Sequence, residues 1–160
     1  MIDFFERLEG NPLITHIGQT GYLYNTFSVL HYFCIFVMVG SMAMVDLRVL
    51  GVAAKRTTIS QLASQMFPWM WTAFAIATLS GFLEFLPTGG DFSGSYQFQM
   101  KTLCIVLAVV FAIIVQMGVK KWSDMPEPPA IAKVIAVLSI VFWLGAIVFA
   151  LNVAAIDGLG

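Results

Sequence analysis

The chain has 160 residues, 59% of them hydrophobic and only 11% charged, with a mean hydropathy of +0.89. A soluble domain is about 45–50% apolar and about 25% charged, so the composition excludes a water-soluble protein and points to a single membrane domain over residues 1–160. The net charge of −1 gives no basis for a nucleic-acid partner, and Cys34 and Cys104 sit in apolar runs without metal-finger or disulfide-framework spacing.

Residues 1–21 are too polar to span a bilayer and too apolar for a simple tail. Phe4, Phe5, Leu8, Leu13 and Ile14 alternate with Asp3, Glu6, Arg7 and Glu9. That pattern predicts a short interfacial helix on the outer surface, broken at Gly10-Asn11-Pro12 and followed by His16. The mixed charge is not that of a cleaved signal peptide. Crossing the hydrocarbon takes about 20 apolar residues, and four segments qualify, over about 24–45, 69–86, 102–119 and 134–155. The fold class is therefore an all-α integral membrane protein, an antiparallel four-transmembrane-helix bundle with a short N-terminal interfacial helix.

Six of the eight Lys and Arg residues (Arg48, Lys55, Arg56, Lys120, Lys121 and Lys133) fall in the first and third connectors. The positive-inside bias makes those connectors cytoplasmic and puts both termini on the outer, periplasmic side of a bacterial inner membrane. Tyr22, Tyr24, Tyr96 and Phe98 fit the outer aromatic belt; Trp69, Trp71 and Trp122 fit the inner one.

His31 lies inside the first span, in SVLHYFCIFVMVGSMAMVDLRVLG. With Asp46 and Arg48 as the inner margin, a 20-residue span puts it roughly 7 Å below the outer hydrocarbon surface. An ionisable side chain at that depth is a functional candidate. Axial ligation of haem iron through a neutral imidazole suits it, with Ile35, Met38 and Met42 on the same helix face and Cys34 at its edge. A structural hydrogen bond to a carbonyl, Ser or Tyr on a neighbouring span is the plainer alternative. Gly40 and Ala43 lie on other sides, where a second helix could close in.

Glu84, Asp91 and Lys101 gather at the outer ends of the second and third spans. Glu84 and Lys101 could pair with each other, or Lys101 could hold a haem propionate. The second axial ligand is the open point, since the last three spans contain no histidine. His16 folding over the bundle, Met100, or a five-coordinate or subunit-shared iron would each answer it. Alternatively, His16 residues from several subunits could converge on copper.

Several elements resemble a group of uncharacterised bacterial four-span membrane proteins over roughly residues 22 to 120. They are His31 followed by Gly40 and DLRVLG (46–51), PWMW (68–71), SGFLEF (80–85) and FQMKTLCIVLA (98–108). In architecture the group looks like small b-type cytochromes and copper-resistance membrane proteins, which implies haem or copper rather than transport. The resemblance carries His31 across. It also implies a further histidine near the inner end of the third span, where this chain has Gln116.

The resulting expectation is a b-type cytochrome-like electron carrier, with haem b in the outer half held by His31 and electrons exchanged with a quinone or an outer-side partner. Oligomerisation through the first span goes with it. The alternatives are a copper-binding protein using His16, His31 and Met residues, and a non-catalytic subunit of a membrane complex.

Overall fold

A computed structural model describes residues 20–86, 94–125 and 127–157, together with Pro12. The expected interfacial helix, His16 and Asp91 lie outside the described residues. Four helices make up the rest: α1 (Gly21–Val49), α2 (Ile59–Phe85), α3 (Tyr96–Ser123) and α4 (Ala130–Asp157). No strand occurs among the described residues. Each helix is long and apolar enough to cross a membrane, and large apolar side chains such as Phe33, Phe36, Leu79, Met117 and Leu151 point outward. A helix apolar on all sides has lipid on one face and neighbours on the other. The chain is a multi-pass membrane protein in contact with the bilayer.

The helices exceed the expected spans, most of all α2, which begins ten residues before Trp69. The physical reason is local. Thr58 accepts a hydrogen bond from Gln61 N–H and the Gln61 side chain reaches back to Thr58 N–H, a capping box. Ile59, Leu62, Ala63 and Phe67 are buried, the spacing of one helix face. Pro68 lies inside this helix. α3 starts on a similar device, Ser95 Oγ accepting from Phe98 N–H at 3.2 Å.

α1 packs chiefly on α2 and α3 chiefly on α4; the two hairpins then meet along α1–α4 and α2–α3. Toward the end that carries the basic connectors, the core is closed by small and branched residues. Val45 and Val49 of α1, Ala108, Ala112 and Val115 of α3, and Ala132 and Ala136 of α4 have no more than a trace of exposed surface. Small residues let membrane helices approach closely and associate through dispersion contacts. Gly40 takes no part in this: its surroundings are open within the subunit. Trp122, expected in an aromatic belt, is instead buried, its indole lying over Gly118.

The α1–α2 connector is held by its own groups. Arg48 Nε donates to the Thr57 carbonyl at 2.7 Å, and Gly51 takes the left-handed conformation at φ 76°. Asp46, one turn before the end of α1, is wholly buried and faces the equally buried Ser139 of α4 without reaching hydrogen-bond geometry.

Because Ala112 is wholly buried in the core, Ala112→Leu should lower the thermal stability of the detergent-solubilised protein, by about 1–3 kcal/mol for overpacking. Val110→Leu on the exposed face of the same helix is the control, and should leave the melting temperature where it was.

Candidate functional site

At the opposite end, where residues 21, 85 and 96 begin or end their helices, the hairpins separate around a cavity of about 570 Å³. All four helices contribute. Its walls are mostly apolar, with Phe74, Phe82 and Phe85 from α2, Phe98 and Ile105 from α3, and Ala146, Ile147 and Ala150 from α4. Phe85 and Phe98 stack with ring centroids 4.6 Å apart and join α2 to α3 at the cavity's edge. Between α3 and α4 the packing is close at Gly145, where an added Cβ would lie 3.2 Å from Cys104 Sγ.

His31 lines this cavity from α1. Its Nδ1 lies 2.8 Å from the Ala77 carbonyl of α2. A carbonyl only accepts, so Nδ1 carries the proton, and in a neutral imidazole Nε2 then keeps its lone pair. Ser80 Oγ, 3.4 Å from Nδ1, is itself turned toward the Ile76 carbonyl at 2.8 Å. The plainer reading of His31, a hydrogen bond to a neighbouring span, is thus observed. It uses one ring nitrogen and leaves the other without a partner among the described residues. An imidazole that donates one N–H to a backbone carbonyl is also the arrangement seen behind most metal-ligating histidines.

Gly81 makes this possible. An added Cβ there would lie 2.5 Å from His31 Cε1 and 2.9 Å from Nδ1, so the ring rests on bare backbone. The SGFLEF element therefore has a physical meaning: Ser80 and Gly81 meet the ring, and Glu84 Oε1 accepts a hydrogen bond from Ser28 of α1 at 2.7 Å.

Glu84 and Lys101 both line the cavity. They interact electrostatically with each other and with His31. They form no ion pair within 4.0 Å, and Lys101 makes no hydrogen bond to a described residue. Met100 is half-buried and is not among the lining residues; Met38 is the methionine that reaches the wall. Of the stripe expected beside His31, Ile35 and Met38 reach the cavity, while Met42 is packed in the core below it. Gln116 accepts from Trp71 Nε1 at 2.9 Å, tying α3 to α2.

The sequence reading passed over Trp143. This α4 residue lines the cavity and is only 3% exposed, yet its indole N–H has no hydrogen-bond partner among the described residues. A tryptophan inside an apolar span carries no sign of its own that it faces a cavity; only the packing of α4 shows it.

The chain belongs to DUF6644, a family of unknown function, whose model matches residues 4–154. No curated protein and no solved structure matches it.

In an ordinary helix interior Gly→Ala stabilises by about 0.5–1 kcal/mol. Here Gly81→Ala should do the reverse and lower the melting temperature, because the methyl group displaces His31 from the Ala77 carbonyl. The double variant Gly81→Ala with His31→Ala should recover most of that loss, since the clashing ring is gone.

Proposed function

We propose that this protein is a b-type cytochrome-like electron carrier, with haem held in the cavity through His31 Nε2. The observation that carries the reading is the His31–Ala77 bond. It selects the neutral tautomer with a free Nε2 and fixes the ring against α2, beside a cavity that His31 itself lines. Volume and composition support the same reading. At about 570 Å³, the cavity falls in the range of roughly 300–1,000 Å³ usual for small-molecule and cofactor sites, and its aromatic walls suit a macrocycle.

When bound, haem supplies one-electron redox chemistry. The chain does the rest. His31 Nε2 would hold the iron, and the Nδ1–H bond raises the basicity of Nε2 and prevents rotation of the ring. Phe74, Phe82 and Phe98 would exclude water from the bound group. Lys101, with no hydrogen-bond partner among the described residues, would hold a carboxylate of that group by a charge-assisted bond. Glu84, held by Ser28, offsets the charge of Lys101 across the cavity without an ion pair.

A copper site is the alternative chemistry. Among the described residues no three His, Cys, Asp or Glu side chains gather into a ligand set, whereas haem asks for one imidazole. A structural subunit without a cofactor is the third reading, and the same experiment separates it.

The test is an absorption spectrum, oxidised and dithionite-reduced, of detergent-purified protein made with ample haem, beside His31→Ala. A Soret band present in the wild type and lost in the variant is the expected result. Colourless wild type would overturn the reading, and bound copper by elemental analysis would replace it.

The positive-inside bias of the basic connectors supports a cytoplasmic side for residues 50–58 and an outer side, in a bacterial inner membrane, for the cavity's end. Lys55→Cys should then react with a membrane-impermeant thiol reagent only after the cells are opened, and Gly94→Cys in intact cells. Cys34 and Cys104 are buried and give a low background.

A further inference from the structure

Among the described residues, the buried side-chain polar atoms without a hydrogen-bond partner belong to Asp46, Ser139 and Trp143. Trp143 borders the cavity; Asp46 and Ser139 do not, and the proposed redox role uses neither. Asp46 stands on α1 and Ser139 on α4, so they face each other across one of the two seams that join the hairpins. Neither has any exposed surface. Ser139 lies about two and a half turns inside α4, away from the helix terminus.

No described cation neutralises Asp46. On α1, Arg48 is two residues further on, and side chains so spaced do not share a helix face; its Nε donates to the Thr57 carbonyl at 2.7 Å. The charged residues of α2 and α3 are Glu84 and Lys101, which line the cavity at the other end, and Lys120 and Lys121, which are exposed. On α4, Lys133 lies 3.9 Å from Glu127, and Asp157 is at the far end of the helix. The Ser139 hydroxyl alone acts on the Asp46 carboxyl. A carboxylate ion buried without a counter-charge is so costly that the group takes up a proton instead. A metal ion has no ligand set here: no three His, Cys, Asp or Glu side chains gather among the described residues. Met42, Val49 and Ala136, one turn away on the two helices, are apolar and buried.

Ser139 is placed to receive that proton. Ser28, Thr78, Ser80 and Thr102 each donate to the carbonyl four residues back on their own helix. Ser139 Oγ does not, which leaves it able to bond across the seam. We infer that Asp46 is a proton-binding site whose acid form donates to Ser139 Oγ, so that a proton latches α1 to α4 at the closed end of the bundle. A protonated carboxyl is a donor and a hydroxyl oxygen an acceptor, and a small approach of the two helices completes the contact. Across the other seam Trp71 and Gln116 already tie α2 to α3, so each seam carries one polar tie. Losing the proton leaves a bare charge between the hairpins and loosens them. The inference does not depend on haem.

The experiment records infrared spectra of the detergent-purified protein at neutral pH, in H2O and D2O, beside Asp46→Asn and Ser139→Ala. The wild type should show a carboxylic-acid C=O band that shifts in D2O. Asp46→Asn should lack it, and Ser139→Ala should keep it at a higher frequency, since the hydrogen bond is gone. Melting temperature against pH gives a second readout. A carboxyl protonated in the folded chain and ionised in the unfolded one contributes stability at low pH that is lost as pH rises. The wild type should therefore melt lower as the pH is raised into the alkaline range, and Asp46→Asn, neutral throughout, should lose that part of the decline. If Asp46→Asn does not fold, the wild type and Ser139→Ala still carry the test. A wild type without the band would overturn the inference. So would a band that persists in Asp46→Asn, or one that Ser139→Ala leaves in place.

Discussion

Much of the geometry at the cavity depends on one hydrogen bond, from His31 Nδ1 to the Ala77 carbonyl. The carbonyl belongs to the interior of a helix, so the imidazole must reach the backbone of α2 rather than a side chain. It can do so only over a residue without Cβ, and Gly81 is placed one turn after Ala77 for that purpose. Three consequences follow from this bond. The tautomer is settled, the ring plane is fixed, and α1 is keyed to α2 in depth and rotation. Ser28–Glu84, one turn nearer the helix ends, repeats the keying with side chains alone. In lipid, where apolar surface gives no preference between neighbour and solvent, such polar keys and close packing set the register of a helix pair.

The bundle is accordingly built in two halves. Toward the basic connectors, alanines and valines bring the hairpins together until nothing fits between them. Toward the other end the facing residues are Phe74, Phe82, Phe98 and Trp143, which hold the hairpins apart. Cys104 and Gly145, at 3.2 Å from a notional Cβ, pack α3 closely against α4 within the second hairpin. The same four helices thus provide a rigid clamp and an open pocket, and the clamp lets the pocket stay open without the hairpins collapsing into it.

Four helices and their order were legible in the sequence because lipid imposes a simple demand, a run of apolar residues of bilayer length. The same signal understated α2, since residues 59–68 are amphipathic rather than apolar throughout. The capping box at Thr58 and Gln61 was the mark that a local reading could have used. At the site, His31 was legible because an imidazole is rare in such surroundings. Its partner was not, because a backbone carbonyl leaves no trace in sequence. Gly81 was visible only as part of SGFLEF, with no role attached, and Glu84 was read as a partner for Lys101, whereas the structure bonds it to Ser28. Trp143 was illegible for a different reason. In an all-apolar span every face looks alike, and which residue points into a cavity is decided by how the two hairpins pack.

The orphaned polar groups sort themselves by the space around them. Asp46 and Ser139 are wholly buried and unsatisfied among the described residues, but they lie at the closed end, and neither lines this cavity. Trp143 is nearly as buried and equally unsatisfied, yet it borders about 570 Å³ of space. Both arrangements carry the desolvation cost of an unpaired polar atom. In the first case only small adjustments of two tightly packed helices can relieve it, so the cost stays within the fold. In the second, the unpaired group borders open space rather than packed helix. By this distinction the recognition chemistry that we propose lies at one end of the bundle, where His31 and Lys101 border the cavity, and the buried polarity of the other end belongs to its architecture.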